Sequence, residues 1–554
     1  MQRLVRLGCA LTALVVVASC STSTPTQTPA ATSSATSTAP AAGATPTPTP
    51  GILSRLDPGG VVEETETYVV HRLPKKHYIR VDDRHVRNPL ISSPIEFFKE
   101  DEDYYYISTP RWTPEEIALR DAATSGSGSV SALPPTPRPL PPGSPPKPSL
   151  AEFEDVTPPR AATRLTLQKV TSSGLPDAGM WRASFELADV NQDGKIDVVS
   201  PAPRVGDANL HIWLGDGRGN FSEWPLTFME DGAPSTNFAI GYGGVAVGDI
   251  DGDGKQDVVT ASHNGGLTSL FGNGNGEFRV VQKGLPGKDF SSQAIALVDV
   301  DGDGKLDIVA SRDVMVQDQG SHGPNVRIYL YRGSKGWQLK EDALVRGVVS
   351  NSLRAWDFDG DGKKDVLTGS HQFAAIPVLW KNEGNSSFSP VKFDDFEVWA
   401  FHFATTPGTF GARRVPAFAD AFHLYTDEPK VTRAIGINVY SFENGVWKRH
   451  RVWRHKEGKS AQYALAMGDL DGDGLDDIAF ADTSENRLRV FFQRPDEEFE
   501  EMAVKDEPAL DSPGQCIRFG DLDGDGRIDV VVAKTVSSTA PGSRGGWDVY
   551  LSRR

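Results

Sequence analysis

Short apolar runs alternate with acidic turns along the chain from about residue 165 onward. One such turn begins at Asp249. It is preceded by the apolar stretch 244–248 and followed by the β-branched stretch 257–261. Runs of this length and composition, bounded by glycine and aspartate, are typical of β-strands. The pattern therefore predicts antiparallel strand pairs joined by acidic loops.

The acidic turn recurs six times with one fixed spacing, as in DIDGDGKQD at residues 249–257. Oxygen-bearing side chains occupy loop positions one, three, five and nine. The sixth position is always glycine, at Gly194, Gly254, Gly304, Gly362, Gly474 and Gly526. A hard cation that needs six to eight oxygens is matched by this spacing, with the carbonyl of the seventh residue completing the shell. We therefore predict about six structural Ca²⁺ ions, because Mg²⁺ prefers an octahedral shell rich in water.

The predicted ligand positions are the first, third, fifth, seventh and ninth of each loop. They are Asp189, Asn191, Asp193, Lys195 and Asp197; Asp249, Asp251, Asp253, Lys255 and Asp257; Asp299, Asp301, Asp303, Lys305 and Asp307; Asp357, Asp359, Asp361, Lys363 and Asp365; Asp469, Asp471, Asp473, Leu475 and Asp477; and Asp521, Asp523, Asp525, Arg527 and Asp529.

Two other interpretations of the loops are weaker. A solvated acidic turn would bring together carboxylates that repel by roughly 4 kcal/mol per pair at about 4 Å and an effective dielectric constant of about 20. An EF-hand needs a bidentate acid at the twelfth position and flanking helices. The residues at that position are Ser200, Thr260, Ala310, Thr368, Phe480 and Val532. The loops are therefore expected between adjacent strands.

The spacing of the loops predicts the architecture. Successive loops start 60, 50, 58, 112 and 52 residues apart, and 112 is twice 56, so a seventh, degenerate unit is expected between residues 365 and 469. There, residues 415–420 resemble a first strand with its first ligand, and residues 434–441 a third strand, without a metal loop. Four strands at a period near 50 form one propeller blade. The predicted fold is an all-β, seven-bladed β-propeller.

These units resemble the FG-GAP/VCBS repeats of integrin-α-like β-propellers over about residues 165–552. The resemblance implies a propeller fold and calcium binding. Because the FG and GAP signatures themselves are poorly kept, it does not by itself imply integrin-like adhesion. The ring is expected to close through its ends: the stretch 165–175 resembles an outer strand, and it should pair with residues 547–552 and remove an open sheet edge.

The N-terminal part of the chain has a different composition. A basic and then apolar stretch ends in Val17-Ala18-Ser19-Cys20, which resembles the lipobox of bacterial lipoproteins, with Cys20 as the acylated residue. We predict a signal peptide at 1–19, a Ser/Thr/Pro/Ala tether at 20–60, a small β-rich α+β segment at 61–123, a proline-rich linker at 124–160 and the propeller at 161–554. Within the small segment we expect strands at 66–73 and 77–81, a hairpin of 95–98 with 104–107, and a helix at about 113–123.

Composition narrows the function. A formal net charge of −17 argues against a nucleic-acid partner, 38% hydrophobic residues against a polytopic membrane protein, and three cysteines against a disulfide framework. The membrane is expected to be contacted only through the N-terminal lipid. The predicted location is the bacterial cell envelope, with the outer membrane or cell surface favoured.

The face opposite the metal loops is the predicted ligand face. Its candidate residues are Trp181, Arg204, His263, Arg312, His371, Tyr463, Asp482 and Lys534. Two hypotheses remain open: a binding, adhesion or scaffold module for a glycan or an envelope protein, and a polysaccharide lyase built on the propeller. A lyase needs a base and charge neutralisation in one cleft. The sequence contains none of the motifs G-x-S-x-G, H-E-x-x-H or the P-loop, so binding is favoured and no catalytic residue is assigned.

Overall fold

The computed structural model describes strand residues between 61 and 110 and residues 153–554, except positions 163, 182–183, 207, 236–237, 289, 314–325, 341–349, 351, 370–377, 392, 394, 397–399, 426–432, 457–463, 484 and 537–543. The regular structure of these residues is almost entirely β, with one 3₁₀ turn at Gly333–Lys335. Among the described residues, no helix has the length and apolarity needed to cross a membrane.

The N-terminal strands form two small antiparallel sheets. The strands are β1 (Val61–Glu64), β2 (Tyr68–Pro74), β3 (Ile79–Arg80), β4 (His85–Arg87), β5 (Ile95–Glu96), β6 (Lys99–Glu100) and β7 (Tyr104–Pro110). They are ordered β1-β2-β7-β6 and β3-β4-β5. The predicted hairpin is therefore wrong in its partner: β7 pairs with β6, and β5 pairs with β4. The predicted helix at 113–123 and Cys20 lie outside the described residues.

Seven blades of four antiparallel strands follow, which are the seven predicted blades, and the sheet of blade 2 carries two additional strands at its outer edge. Blade 1 contains β9 (Glu186–Ala188), β10 (Asp197–Ser200), β11 (His211–Gly215) and β12 (Phe221–Glu223); after the hairpin β13 (Thr227–Glu230) and β14 (Ala233–Pro234), blade 2 contains β15 (Gly243–Gly248), β16 (Asp257–Ser262), β17 (Gly266–Gly272) and β18 (Glu277–Val281); blade 3 contains β19 (Ser292–Val298), β20 (Asp307–Arg312), β21 (Val326–Tyr331) and β22 (Trp337–Lys340); blade 4 contains β23 (Leu353–Trp356), β24 (Asp365–Thr368), β25 (Val378–Gly384) and β26 (Ser387–Pro390).

The remaining three blades complete the ring. Blade 5 contains β27 (Ala400–Phe410), β28 (Val415–Tyr425), β29 (Arg433–Glu443) and β30 (Val446–His455); blade 6 contains β31 (Leu465–Gly468), β32 (Asp477–Asp482), β33 (Arg487–Gln493) and β34 (Phe499–Glu501); blade 7 contains β35 (Gly514–Gly520), β36 (Asp529–Lys534), β37 (Gly546–Arg553) and, from the other end of the propeller, β8 (Thr166–Lys169).

The ring closes as the sequence predicts. Strand β8 pairs antiparallel with β37, from Tyr550 opposite Lys169 to Arg553 opposite Thr166. The first strand of every blade contacts the first strands of both neighbouring blades, so that β9, β15, β19, β23, β27, β31 and β35 form a continuous circle. The outer strand of blade 7 thus comes from the N-terminal end of the propeller, which leaves that blade complete.

The hydrophobic core lies between the blades. In the six blades with acidic loops the second strands are buried along their whole length, as in β16 and β36. One cluster joins Val259 of blade 2 to Ile308 and Tyr329 of blade 3. Because both faces of a second strand pack against neighbouring blades, its sequence is a continuous apolar run instead of an alternating one.

Blade 5 corrects one prediction. Residues 415–420 belong to its second strand, β28, and not to a first strand with a metal ligand. The first strand is β27, whose Thr405-Thr406-Pro407-Gly408 sequence looks like a turn. Pro407 is tolerated because β27 is the edge of its sheet and needs no hydrogen-bonded partner on the axial side. The predicted third strand at 434–441 is confirmed within β29.

Residues 153–161 cross the outer edges of blades 5 and 6. The ring of Phe153 lies under the guanidinium of Arg454, 4.0 Å from it, and is almost fully buried. Val156 exchanges two main-chain hydrogen bonds with Arg454, and the Ala161 amide donates to the Glu501 carbonyl at 2.8 Å. The end of the predicted linker is therefore packed on the propeller and leads directly to β8.

Candidate metal centres and ligand face

Each acidic loop is a compact turn organised around its first aspartate. In blade 2, Asp249 accepts hydrogen bonds from the amides of Gly252 (2.8 Å) and Gly254 (2.9 Å). Gly254, at the sixth position, has a φ of +84°, and no atom lies within 4 Å of the position that a Cβ would take there. Its conformation, and not lack of space, therefore requires glycine. The same first-to-sixth hydrogen bond occurs in all six loops, at 2.8–3.0 Å.

The ninth aspartate ties each loop to the rest of its blade. Asp257 is buried and accepts the Ile250 amide on one oxygen and the Gly272 amide, at the end of β17, on the other, both at 2.9 Å. The other ninth aspartates make the same pair of bonds. Those residues are Asp197, Asp307, Asp365, Asp477 and Asp529. This link to the third strand, which the sequence did not indicate, is made entirely by hydrogen bonds between protein groups.

Burial raises the pKa of these ninth aspartates, and nearby loop carboxylates add to the effect. The pKa rises to about 7 for Asp257 and Asp307 and to about 6 for Asp365 and Asp529. Desolvation is the larger cause in each case, and the amide hydrogen bonds oppose it. Without a cation, the ionised form of each loop is therefore electrostatically disfavoured.

The carboxylates converge closely enough to hold a metal ion. In five loops, one oxygen from each of three aspartates lies within 4.8 Å of the others: Asp249, Asp251 and Asp257; Asp299, Asp301 and Asp303; Asp357, Asp359 and Asp361; Asp469, Asp471 and Asp477; and Asp521, Asp523 and Asp529. The Oδ1 atoms of Asp301, Asp469 and Asp523 are buried and accept no hydrogen bond from the described residues. Buried carboxylate oxygens without partners fit a hard cation, which prefers oxygen ligands.

The first loop departs from this pattern. Asn191 replaces the aspartate at loop position three, so this loop has one negative charge fewer than the others. Gln192 takes the fourth position with a φ of +62°, where the other loops have glycine. Its side-chain amide donates to the carbonyl of Gly254 in the loop of blade 2. This loop is therefore linked to its neighbour, and its amide oxygen is a weaker ligand than a carboxylate.

Basic side chains partly neutralise most loops. The pairs are Lys195 with Asp193 (3.2 Å), Arg332 with Asp301 (2.6 Å), Lys363 with Asp361 (2.6 Å), Arg164 with Asp471 (3.2 Å) and Arg553 with Asp523 (2.6 Å). In blade 2, Asp249, Asp251 and Asp253 form no ion pair with any described basic residue. The loop of blade 2 therefore carries the least compensated negative charge.

A chain of polar contacts lies on the opposite face, where second strands end and first strands begin. The guanidinium of Arg204 lies over the ring of Tyr242, 5.8 Å from its centre, and Tyr242 packs on His263 at 5.0 Å. His263 Nδ1 is 2.6 Å from the carboxylate of Asp313, which also accepts from Gln293 at 2.7 Å. Burial opposes the ionisation of Asp313, but the contacts with His263 and Gln293 lower its pKa overall. Blades 1 to 3 thus share one polar surface, here called the Arg204–Asp313 surface.

This arrangement is not a serine-hydrolase triad. The Ser291 hydroxyl lies 3.3 Å from Nδ1 of His263, the same nitrogen that meets Asp313. In a triad the serine and the aspartate engage opposite nitrogens of the imidazole. Ser291 is therefore not placed for activation by His263, whose side chain is 24% exposed.

The other predicted ligand-face residues are mostly buried. Trp181 packs among His211, Trp213 and Trp547. Asp482 pairs with Arg489 at 2.7 Å, and Lys534 with Asp511 and Asp548. Arg312 is 5% exposed and lies over Phe290. His371 and Tyr463 lie outside the described residues. Of the described candidates, Arg204 and His263 thus reach the surface together.

The acidic loops match a known repeat family. The family described as FG-GAP-like repeat matches residues 189–260, 249–310 and 469–532. No curated protein matches the chain. An α-L-arabinanase from Penicillium chrysogenum solved with arabinobiose is similar at 9% identity and a TM-score of 0.37, over 70% of this chain and 97% of that chain. An ancestral GH74 enzyme is similar at 11% identity and a TM-score of 0.33, over 66% of this chain and 56% of that enzyme.

The seven closed blades and their repeated acidic loops define a β-propeller whose turns are able to bind metal ions. Three segments of this ring match the FG-GAP-like repeat, so the protein is a β-propeller that contains FG-GAP-like repeats.

Proposed function

We propose that the protein is a calcium-stabilised binding propeller, held at the bacterial cell envelope by a lipid on Cys20, which binds an acidic glycan on the Arg204–Asp313 surface. The single observation that carries the binding role is the contact chain from Arg204 through Tyr242 and His263 to Asp313. The acidic loops share one spacing in six of the seven blades, which suits a repeated structural role. Among the described residues, the contact chain of Arg204, Tyr242, His263 and Asp313 is specific to blades 1 to 3, which suits recognition.

Calcium is the cation that best suits the loops. Their ligands are carboxylates and main-chain carbonyls, and Ca²⁺ accepts six to eight such oxygens in a flexible shell. The unpartnered oxygens of Asp301, Asp469 and Asp523 support this assignment. In each loop the aspartates at positions one, three, five and nine would supply side-chain ligands, with Asn191 replacing the third in the first loop. Bound calcium would supply positive charge that offsets the repulsion among them.

The chemistry of the Arg204–Asp313 surface favours an acidic glycan over a neutral one. Arg204 offers a guanidinium that forms paired hydrogen bonds with carboxylates. Tyr242 presents a ring on which the apolar face of a sugar can pack. Asp313 orients His263, which leaves the second imidazole nitrogen available to a hydroxyl group. An envelope protein with an acidic patch is the competing partner and is an outcome of the test below.

A catalytic role is the second candidate, and the 2.6 Å contact between His263 and Asp313 favours it. A carboxylate that holds an imidazole by one nitrogen can make the other nitrogen a general base. With Arg204 close to Tyr242, this site has the elements that a lyase acting on uronate polymers requires. Binding is the primary proposal, and we assign no catalytic residue among the described side chains of this surface.

Binding is tested with the purified full-length protein on a glycan array in saturating calcium, together with Arg204→Ala and His263→Ala. Arg218→Ala is the control, since Arg218 is an exposed arginine in the turn between β11 and β12, at the metal-loop end of the blade. Retention of acidic glycans by the parent and the control, and loss in the two variants, would support the proposal. Equal retention by all four proteins would contradict it.

The partner class and the catalytic alternative need two further measurements. Pull-down from envelope extracts with the same four proteins would identify a protein partner if capture depends on Arg204 while the array is silent. Incubation with uronate-containing polymers should give no unsaturated product. A product that disappears in His263→Gln would establish the enzyme instead. The anchor is tested by fractionating cells that express Cys20→Ala. If Cys20 carries the lipid, this variant should be found in the soluble fraction instead of the membrane fraction.

A further inference from the structure

Two arginines and one glutamate meet on the propeller axis. They occupy one register position, three residues before the first aspartate of an acidic loop. In the six blades with such loops, the residues at this position are Glu186, Ala246, Ala296, Arg354, Ala466 and Arg518. Each is paired with the equivalent residue of its second strand, as in Glu186 opposite Val199 and Arg354 opposite Leu367. The six positions therefore lie at one level of the ring.

The three alanines leave room for the long side chains of the other three residues. Arg354, in blade 4, approaches Glu186, in blade 1, to 4.0 Å. These two blades lie on opposite sides of a seven-membered ring, so this contact spans the axis. Arg518, in the neighbouring blade 7, donates to Glu186 at 2.9 and 3.3 Å and to Ser184 at 2.7 Å. The charged layer is thus continuous across the channel.

The charges at these six positions do not balance. Two guanidiniums and one carboxylate give a net charge of +1, within a chain whose net charge is −17. Glu186 is engaged by Arg518 through two hydrogen bonds, whereas its approach to Arg354 is long. The Arg354 guanidinium donates one hydrogen bond, at 2.9 Å, to the main-chain carbonyl of the preceding residue, Leu353. A guanidinium has five N–H donors, so most of those on Arg354 have no acceptor among the described residues.

Solvent reaches this guanidinium. The side chains of Arg354 and Glu186 are 26% and 29% exposed. Burial and then the nearby Arg518 lower the pKa of Arg354 to about 10. An arginine fork that is partly desolvated, short of acceptors and repelled by a second arginine is stabilised by an oxyanion that accepts two parallel N–H bonds.

We propose that Arg354, with Arg518 and Glu186 beside it, forms an axial site that binds the carboxylate group of a small ligand or of a ligand segment entering the channel. A single negative charge would bring the layer to neutrality. The site is separate from the Arg204–Asp313 surface, because it lies toward the metal-loop end of the first strands, and it does not depend on the proposed glycan.

Thermal unfolding of the full-length protein tests this site, with acetate and glucuronate as probes against chloride at matched ionic strength and fixed free calcium. We expect both carboxylates to raise the melting temperature saturably, and chloride not to. Arg354→Ala should weaken the apparent affinity at least about tenfold, the loss expected for a charge-assisted hydrogen bond. Arg218→Ala should leave it unchanged. In an Arg204→Ala background the weakening caused by Arg354→Ala should persist, which separates this site from the glycan-binding surface.

Glu186→Gln distinguishes a ligand site from a purely structural ion pair. Glu186 competes with the ligand for Arg518 and Arg354, so its neutralisation should tighten carboxylate binding severalfold even if it lowers the basal melting temperature. If Arg354→Ala fails to fold, Arg354→Lys replaces it; it keeps the charge, loses the fork, and should bind more weakly than the parent. Absence of saturable binding in the parent, or unchanged affinity in both the Arg354 and Glu186 variants, would overturn the proposal.

Discussion

Blades 2 and 5 connect their first and second strands in different ways. In both, a first and a second strand must be joined at one end of the ring. Blade 2 uses strands of six residues and a loop that gathers four aspartates without a basic partner among the described residues. Blade 5 uses strands of eleven residues and the short turn 411–414.

The forces that hold the two hairpins differ accordingly. In blade 5 the main-chain ladder continues to Phe410 opposite Val415. Phe418 is fully buried and lies 5.0 Å from Tyr440 and 5.5 Å from Trp447. Arg414 pairs with Asp476 of blade 6 at 3.1 Å. In blade 2 the loop depends on carboxylates that accept main-chain amides and repel one another. The comparison shows that longer strands and aromatic packing can replace a metal-binding turn within one ring.

The largest expected effect comes from the packing of blade 5. Phe418→Ala removes a ring that is fully buried, and we expect a loss of about 3–5 kcal/mol in the free energy of unfolding. Because no metal loop is involved, chemical denaturation should give the same loss with calcium and with chelator. Phe418→Leu is the milder control. A loss of unfolding free energy that differs between calcium and chelator would show that blade 5, like blade 2, depends on a metal ion.

The next effect concerns the ninth aspartate of blade 2. Asp257→Asn would place a side-chain NH₂ group against one of the two main-chain amides that now donate hydrogen bonds to Asp257. We expect a loss of about 2–3 kcal/mol, from one unmade buried hydrogen bond and a donor facing a donor. The loss should persist in chelator, since this tie does not need a metal. A variant as stable as the parent in chelator would show that the tie contributes nothing.

Asp251→Ala should separate the effect of metal binding from that of the two main-chain hydrogen bonds that Asp257 accepts. Asp251 converges with Asp249 and Asp257 but does not hold β17. At free calcium about a hundred times the dissociation constant, loss of one site costs up to about 2.7 kcal/mol. In chelator the variant should equal or slightly exceed the parent, because one repelling charge is gone. A difference between variant and parent that is the same under both conditions would argue against a cation at this loop.

The smallest effect is a pH dependence of the calcium-free protein. The folded-state pKa values of about 7 for Asp257 and Asp307 and about 6 for Asp365 and Asp529 lie above the ordinary value of 3.8. Folding therefore favours the protonated carboxyl. This contribution is fully present below the ordinary pKa and is lost as pH rises through about 6 to 7.

We therefore expect the melting temperature of calcium-free protein to fall by a few degrees across that window, and the gain from added calcium to grow over the same range. Melts at steps of pH with Asp257→Asn as the comparison variant would check this, since that variant should show a shallower slope. A calcium gain that is independent of pH would contradict the raised pKa values.

Much of the ring could be predicted from local sequence. The fixed spacing of the acidic loops determined the number of blades, including the degenerate one, and the likeness of 165–175 to an outer strand predicted the pairing of β8 with β37. These signals are local because a blade is a single repeat whose turns carry their own chemistry. The third strand of blade 5 was predicted for the same reason.

Features that depend on distant contacts could not be predicted. The stretch 153–161 has the composition of the proline-rich linker before it. Its packing on the propeller could not be predicted because its partners Arg454 and Glu501 are about three hundred residues away in sequence. The hairpin β13–β14 is short, with strands of four and two residues, and β13 joins blade 2 by parallel pairing with β18. Asp482 and Lys534 have the polarity of surface residues but are neutralised inside the ring by Arg489 and Asp548. The meeting of Arg354 with Glu186 emerges only when the blades are arranged around an axis.

The most direct test of the account is calorimetric unfolding of the full-length protein after complete metal removal, repeated with calcium and with magnesium at equal ionic strength. We predict that calcium raises the melting temperature strongly and saturably, that magnesium does so weakly, and that several equivalents of calcium are retained after dialysis. Identical melting in all three conditions, with no retained ion, would contradict the claim that cations stabilise the acidic loops.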